Sequence, residues 1–586
     1  MQKLRHSYFF NINKAIIEAA KQNEVTDIFG QKQLQYCYYN GPLINNKLPN
    51  LIRVDYNNVI PFFSNNSMPI PTRFIGSGKS ISGVKPDSSN LINEILKNRK
   101  DIAITNYIHQ DTYFFDRLEA LNTAKQHNRI NCGNPVIDAL QICYYTGEVI
   151  DAPYQNLVPV NFSKFVDFFV HSRLRIPKKI VFPKDINPNV KQEFANNYRN
   201  NIESIIKQRK EITQELKQIA KTLKPNFSEK PLRVWLPASR YTTVLQYAYK
   251  AMAHEFERQG YETYLDIEAN EMEGMNRADF MKKFIDFKPH IVIYINHKHN
   301  EYLHKDVINF IWWQDPMPIL QQKKAIPWRK NDYVFVYSEL IQQMMISCGK
   351  NDFIDQPPCI DENIFYNDSK IKRNNTIVFL GSSYNSRIYN FSDSEHAALE
   401  KFKLLFKQGI SLTKDGIQEI LNKYQVKIER MIYGITYIVR DTSVEWLCTQ
   451  HIIPFELYGR GWNYNSVYKQ NHKGEIKHGC DIANIYRSAK YALVCLPHEV
   501  ESQRLAEIIA CGCIPIVFDS REYCNYKDNL GLNYYKTQED LISLLEDNKK
   551  LKNNYQLPLK FTYKNLINQC HTIITQCIRK GVHIND

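Results

Sequence analysis

The chain reads as α/β, two doubly wound domains in tandem behind an N-terminal α+β region. Three observations predict this. From Pro231 onward, short apolar runs alternate with amphipathic stretches of helical period. The runs RVWLP, HIVIYIN, VINFIWW, TIVFLG and IPIVFD are continuously apolar, as expected of parallel strands covered on both faces. The alternation halts once, at the proline-containing DQPPCIDENIFY, and then resumes.

A chain of 586 residues is too long for one ordinary core. Its 43% hydrophobic and 23% charged content is that of a globular protein. The formal charge of +14 is spread thinly, unlike the dense stripe of a dedicated nucleic-acid binder. It suits anionic ligands, an anionic acceptor or a membrane surface, and equally a diffusely basic exterior. Thirteen cysteines are scattered. Cys511 and Cys513 form a C-x-C with no second pair at zinc-site spacing. Buried free thiols and a reducing compartment are the expectation. The N-terminus lacks a secretory signal, and no window approaches 18 apolar residues. A cytoplasmic protein is expected, with peripheral contact at the inner face of the membrane left open.

Residues 1–188 mix a helical start at Ala15–Ala20 with short runs such as NVIPFF and DIAITNYI. No internal repeat is read there. FIGSGKS, Phe74–Ser80, ends like a phosphate-binding loop. Arg73 stands where that loop needs its first glycine, no apolar strand leads in, and no helix follows. Residues 189–230 form a helical connector, with Phe194, Tyr198, Ile202, Ile205 and Ile206 at helical spacing and Pro225 as the stop. The first doubly wound domain spans 231–355, a linker 356–375, the second domain 376–560, and a C-terminal helix 561–586.

Ligands of such sheets bind outside the carboxyl ends of the strands. Three loops of the second domain qualify. Gly381, Ser382 and Ser383 open GSSYNSR, a small-residue loop that admits a phosphate, with Arg387 as a planar cation; an ordinary turn is equally open. YGRGW sets Arg460 between Gly459 and Gly461. HEVESQRLAE brings His498, Glu499, Glu501, Arg504 and Glu507 around Ser502, which suits a helix N-cap. Helix N-termini favour anions, and carboxylates accept strong hydrogen bonds from hydroxyls. Gly512 suits the helix C-terminus. In the first domain, Asp315 ends VINFIWWQD, His297 and His299 follow HIVIYIN, and Arg240 follows RVWLP. These are acceptor-side candidates, with turn or structural roles as the alternative.

On these residues the sequence resembles the GT-B glycosyltransferases. Seven residues separate Glu499 from Glu507, the E-x7-E spacing of many retaining members. The tail Ala510-Cys511-Gly512-Cys513-Ile514-Pro515 is similar to their E-x-x-A-x-G-x-P ending, with one extra residue before the proline. ESQRLAEIIACGCIPIVFD, about forty residues after YGRGW, is more similar to CgeB-like, spore-coat-type bacterial glycosyltransferases. GCIPI also resembles exostosin-type transferases.

The resemblance implies two Rossmann-like domains across a cleft, the second holding a nucleotide-sugar donor and the first the acceptor and base. It implies Glu507 on the ribose, Glu499 on the donor sugar, and Arg504, Arg387 and the amides near Ser502 on the diphosphate. It implies no metal and no cofactor beyond the sugar-nucleotide co-substrate. Glycan, lipid-linked or protein acceptors fit, as does nucleic acid. A non-catalytic sugar- or nucleotide-binding protein on the same fold stays open. Oligomeric state is not legible.

Overall fold

The computed structural model describes residues 6–21, 24–26, 32–40, 50–55, 73–75, 111–126, 129–131 and 138–582, with a few isolated positions before 72. Within 138–582 it leaves out 184, 243, 323, 389–390, 411, 463–464, 525–529, 548–550 and 552–554. Gly76–Ser80 of FIGSGKS and the run DIAITNYI lie outside the described residues.

The N-terminal region contains an internal repeat, contrary to the expectation. Strands β1 (Ser7–Phe9), β4 (Cys37–Tyr39), β5 (Leu51–Arg53) and β6 (Arg73–Ile75) form a parallel sheet ordered β5-β4-β1-β6, with β2 (Glu24–Thr26) and β3 (Lys32–Leu34) as an antiparallel hairpin. Strands β7 (Thr112–Phe114), β10 (Cys143–Tyr145), β11 (Leu157–Pro159) and β12 (Lys179–Val181) repeat this as β11-β10-β7-β12, with β8 (Arg129–Asn131) and β9 (Asp138–Leu140) as the hairpin.

The correspondence reaches individual bonds. Asn11 and Asp116 cap the helices Ile12–Ala20 and Arg117–Lys125, which bury Ala15 and Ala19, and Ala120 and Ala124. Tyr8 donates to the Val54 carbonyl and Tyr113 to the Val160 carbonyl, both at 2.7 Å. Asn50 and Asn156 bond the Gln35 and Gln141 carbonyls. His6 Nδ1 accepts from the Tyr36 amide as Asp111 accepts from Ile142. Burial lowers the His6 pKa to about 4, which keeps the ring a neutral acceptor. Strand β6 does lead into the GSGKS segment.

The connector is one helix, Pro188–Thr222, capped by Asn187 with Pro188 in its first turn. Tyr198, Ile202 and Ile205 pack on the second repeat. Leu216 and Ala220 pack with Trp235 and Phe284 of the next domain. One amphipathic face thus serves two cores.

The two doubly wound domains are as expected. The first has β13 (Arg233–Pro237), β14 (Glu262–Asp266), β15 (Ile291–Ile295), β16 (Ile308–Trp313), β17 (Asp332–Val336) and β18 (Phe353–Asp355), all parallel in the order β14-β13-β15-β16-β17-β18. Every residue of β15 and β16 is buried. The second has β19 (Asn374–Leu380), β20 (Phe455–Tyr458), β21 (Ala489–Val494), β22 (Ile514–Phe518) and β23 (Asn533–Tyr535), ordered β20-β19-β21-β22-β23. Its apolar strands feed two cores at period 2. Ile377, Phe379, Tyr491 and Leu493 face the helices of 393–449, while Val378, Leu380, Ala492 and Val494 face Leu505, Ala506 and Ile508. The strand order reverses beside β13 and β19, which places ligands near Ala238 and Gly381. Among the described residues no helix is long and apolar enough to cross a membrane. Cys511 and Cys513 are free and buried.

The expected linker is packed rather than open. Cys359 is buried, and Ile360 bridges Thr562 beside it. From there the last helix, Tyr563–Val582, crosses back to the first domain. Tyr563, Leu566, Ile567, Cys570 and Ile574 join Ala248, Met252 and Phe256 in its core. Ile567 is fully buried, so Ile567→Ala is expected to destabilise that domain by about 2–5 kcal/mol. Urea titration followed by tryptophan fluorescence measures this, and an unchanged midpoint would remove the helix from the core.

Candidate functional site

The end of β19 is seated by contacts with the end of β20. The Gly381 amide donates to the Tyr458 carbonyl at 2.9 Å, and the Gly381 carbonyl accepts from the Trp462 indole at 2.8 Å. Gly459 lies so close that a Cβ would overlap the Gly381 carbonyl, and its φ is +127°. Gly461 also has positive φ, and the Arg460 carbonyl accepts from the Ser383 amide. Arg460 itself pairs with Glu475 at 2.6 Å near the surface. In the structure Gly459, Arg460 and Gly461 brace the end of β19. Ser383 turns its hydroxyl to Asp441.

Two guanidiniums converge on this loop. Arg504, in the first turn of the helix Gln503–Ala510, lies against Gly381 and over the Phe379 ring, 5.6 Å from its centroid. Arg440, on the helix Ile428–Thr449, is buried over the Tyr384 ring at 4.1 Å and donates to the Ser382 carbonyl at 2.9 Å. Its Nε is buried without a partner. Among the described residues no carboxylate forms an ion pair with either. Burial lowers the Arg440 pKa, and the Arg504 charge lowers it further. Two like charges in a low-dielectric setting call for an anion. Sequence reasoning missed Arg440 because a lone arginine inside a helix carries no local signal. Arg387 is exposed and lies over the Tyr433 ring at 5.4 Å, apart from this pair of contacts.

The glutamates separate into different tasks. Glu507 is buried, and its Oε1 accepts from Gln503 at 3.2 Å and from His478 Nε2 at 3.3 Å. His478 and Gln503, both absent from the sequence expectation, line a cavity of about 110 Å³ with Tyr247 and Phe365. Glu501 does not face that space. Tyr555 and Lys560 bind its carboxylate, and the Tyr337 hydroxyl of the first domain donates to its backbone carbonyl at 2.6 Å. It clasps the domains together. Ser502 is the N-cap as expected, its hydroxyl accepting from the Leu505 amide at 3.1 Å. His498 is packed against Tyr523 and the Ile432 carbonyl, and burial lowers its pKa to about 4.

Glu499 faces the first domain. Burial pushes its carboxyl up to about 8, and the Asp315 charge adds to the rise. Asp315 accepts from Asn296 Nδ2 at 2.6 Å, while Asn296 Oδ1 takes the Gln314 and Asp315 amides. Burial raises Asp315 despite the Asn296 bond. Thus the structure brings Asp315 and Glu499 together across the cleft. His297 and His299 stack at 5.1 Å, and burial, then His299, lowers His297. His299 Nδ1 lies 4.0 Å from the Glu301 carboxylate and is the main cause that lowers it, to about 2. Arg240 stands apart, beside the loop after β14. Among the described residues no group of three or more His, Cys, Asp or Glu is arranged to hold a metal ion.

Residues 440–554 match the family model described as glycosyl transferase-like. That segment holds Arg440, Glu499, Arg504 and Glu507, so the chain carries a glycosyl transferase-like domain. No curated protein matches the chain. Among solved structures, it is similar to a sucrose-phosphate synthase from Thermosynechococcus elongatus, at 8% identity and a TM-score of 0.36, over 60% of this chain and 100% of that one. It is also similar to a glycosyltransferase involved in avilamycin A biosynthesis, at 12% identity and 0.35, over 60% and 98%. An Anabaena protein solved with UDP and glucose is similar at 8% identity and 0.31, over 60% and 99%.

Glu499 is protonated up to about pH 8 when folded but only to its ordinary 4.5 when unfolded. In that window the folded chain holds the extra proton, so stability falls as pH rises. Glu499→Gln removes this slope. Urea midpoints against pH are expected to diverge in the variant's favour from about 4.5 to about 8 and then run parallel. Curves parallel throughout would contradict the raised carboxyl.

Proposed function

We propose that the chain transfers a sugar from a nucleotide-sugar donor to a hydroxyl acceptor. The observation that carries this reading is the Arg440–Arg504 pair, which has no ion pair among the described residues and is set at the Gly381 loop within the glycosyl transferase-like segment. A departing nucleoside diphosphate supplies the missing anion. The guanidiniums stabilise charge where it develops, in a site already organised for it. Such a site needs no metal for that step, and metal independence is part of the proposal. Within the class, we propose a CgeB-like enzyme, a reading supported by the resemblance of the run ESQRLAEIIACGCIPI.

The carboxyls support the same reading. Glu507, oriented by Gln503 and His478, suits the two hydroxyls of a ribose. Glu499, neutral at ordinary pH, both donates and accepts hydrogen bonds and suits the donor sugar. Asp315, raised by burial, is placed to take the acceptor hydroxyl's proton. Glycans, lipid-linked sugars and proteins are the acceptor classes we expect, with the reaction on the cytoplasmic side.

The test is turnover of a panel of UDP-, GDP- and dTDP-sugars, read as release of the nucleoside diphosphate. Arg504→Ala and Arg440→Ala are each expected to lower kcat by about 10²–10³-fold. Glu507→Ala is expected to act mainly on donor affinity. Full turnover in Arg504→Ala would overturn the reading. Stoichiometric nucleotide-sugar binding with no turnover in any acceptor mixture would favour a binding protein instead.

A further inference from the structure

Arg240 follows β13 at the carboxyl edge of the first sheet, away from the donor residues. Its backbone amide donates to Glu268 at 2.9 Å, and Ser239 donates to the other oxygen of that carboxylate at 3.1 Å. The guanidinium forms no ion pair among the described residues, and its Nη1 is buried without a hydrogen-bond partner. A buried, uncompensated guanidinium nitrogen is costly. The half-buried Arg240 side chain lines a cavity of about 200 Å³. The loop after β14 gives Asn270 and Glu271 to the wall, and the second N-terminal repeat gives Leu140 and Gln155.

The wall is held rigidly. Arg175 of the second repeat binds Asp111 through two bonds, of 2.8 and 3.0 Å, and bonds the Tyr241 hydroxyl at 3.2 Å. It also donates to the Glu271 and Leu140 carbonyls, joining both sides of the cavity. Arg173 adds ion pairs to Asp266 at 3.1 Å and Asp279 at 3.0 Å. The repeat is thus locked to the first domain at the strand ends where ligands bind. The first repeat has His6 where the second has Asp111, so this docking belongs to the second copy.

The cavity is smaller than the ~300 Å³ at which sites for drug-sized ligands begin. It suits one sugar ring rather than a nucleotide. Arg240 supplies a cation, Gln155 and Asn270 supply amides, and Glu271 supplies a hydroxyl acceptor. Only two strand spacings, about 10 Å, separate β13 from β16 and its Asp315. We propose that this cavity is an acceptor subsite for an anionic sugar, whose carboxylate or phosphate lies on Arg240 and whose hydroxyls lie on Gln155, Asn270 and Glu271. The assignment to the acceptor rests on the transferase reading. The N-terminal repeat then has a function: it closes the outer wall of the acceptor site.

Binding to the full chain tests this without turnover. The probes are glucuronate, glucose 6-phosphate and, as the neutral control, glucose, followed by saturation-transfer NMR and calorimetry. At least one anionic probe is expected to bind, glucose roughly tenfold more weakly or not at all, and the favoured probe tells carboxylate from phosphate. Arg240→Gln is expected to weaken the anionic probe by about tenfold or more. Gln155→Trp, which fills the cavity from the repeat's side, is expected to do the same with an unchanged melting temperature. Equal binding of glucose, no binding of either anion, or undiminished binding in a folded Gln155→Trp each overturns the inference. Nucleotide-sugar binding measured alongside separates the two readings. Its absence with anionic-sugar binding intact counts against the donor site alone.

Discussion

The close approach of Gly459 to the Gly381 carbonyl sets the geometry on which the proposed donor site depends. Only a residue without Cβ fits there. That contact lets the Trp462 indole reach the same carbonyl and lets the Arg460 carbonyl take the Ser383 amide. The loop after β19 is held from one side. Arg504 lies on it from the helix Gln503–Ala510, and Arg440 ties to Ser382 from beneath. Neither guanidinium is positioned by a carboxylate. Both are positioned by aromatic rings and backbone, which leaves their charge for a ligand.

The cleft has a second constraint, the return of the chain. The helix Tyr563–Val582 completes the first domain's core, so that core draws on residues that follow the second domain in sequence. On its way the returning segment passes Glu501, where Lys560 and Tyr555 bind the carboxylate. Glu501 lies two residues from Glu499 and one before the helix cap. A contact that joins the domains is therefore built into the same loop that faces the donor. Opening of the cleft must strain the Tyr337 bond to the Glu501 carbonyl, which gives domain closure a direct route to the donor residues.

The doubly wound domains were legible because long, continuously apolar strands are rare outside parallel sheets. The repeat was not. Its strands span three residues, its hairpin differs by one position between copies, and tyrosines that look like surface residues fill its core. Ser502 and Gly512 could be read because capping chemistry is local. Glu499 and Glu501 could not be told apart, since their neighbours in sequence are alike and their partners lie 54 or more residues away. Arg440 and His478 were invisible for the same reason, since their tasks arise from tertiary packing, whereas Gln503 bonds Glu507 four residues on along one helix, a spacing open to reading. The glycines of YGRGW could be read as special but not why: Gly459 answers the close approach of another backbone, which only the tertiary structure reveals.

The charges of the site are sorted rather than mixed. Burial and then Asp315 raise Glu499, with no guanidinium offsetting the rise. Burial lowers the Arg440 pKa and the Arg504 charge adds to this, while Tyr384, Cys495 and Asp441 act in the opposite direction. A pocket that mixed these groups would pair arginine with glutamate and lower both costs. Keeping them apart leaves a cationic half at Gly381 and an acidic half between Glu499 and Asp315. A nucleotide sugar has the same division, with charge at its diphosphate and hydroxyls at its sugar. Binding such a molecule would neutralise the arginines while Glu499, pushed up to about 8 by burial, keeps a proton to donate to a hydroxyl. In the proposed transfer, new negative charge would appear on the cationic half alone, where two guanidiniums with no ion pair among the described residues already stand.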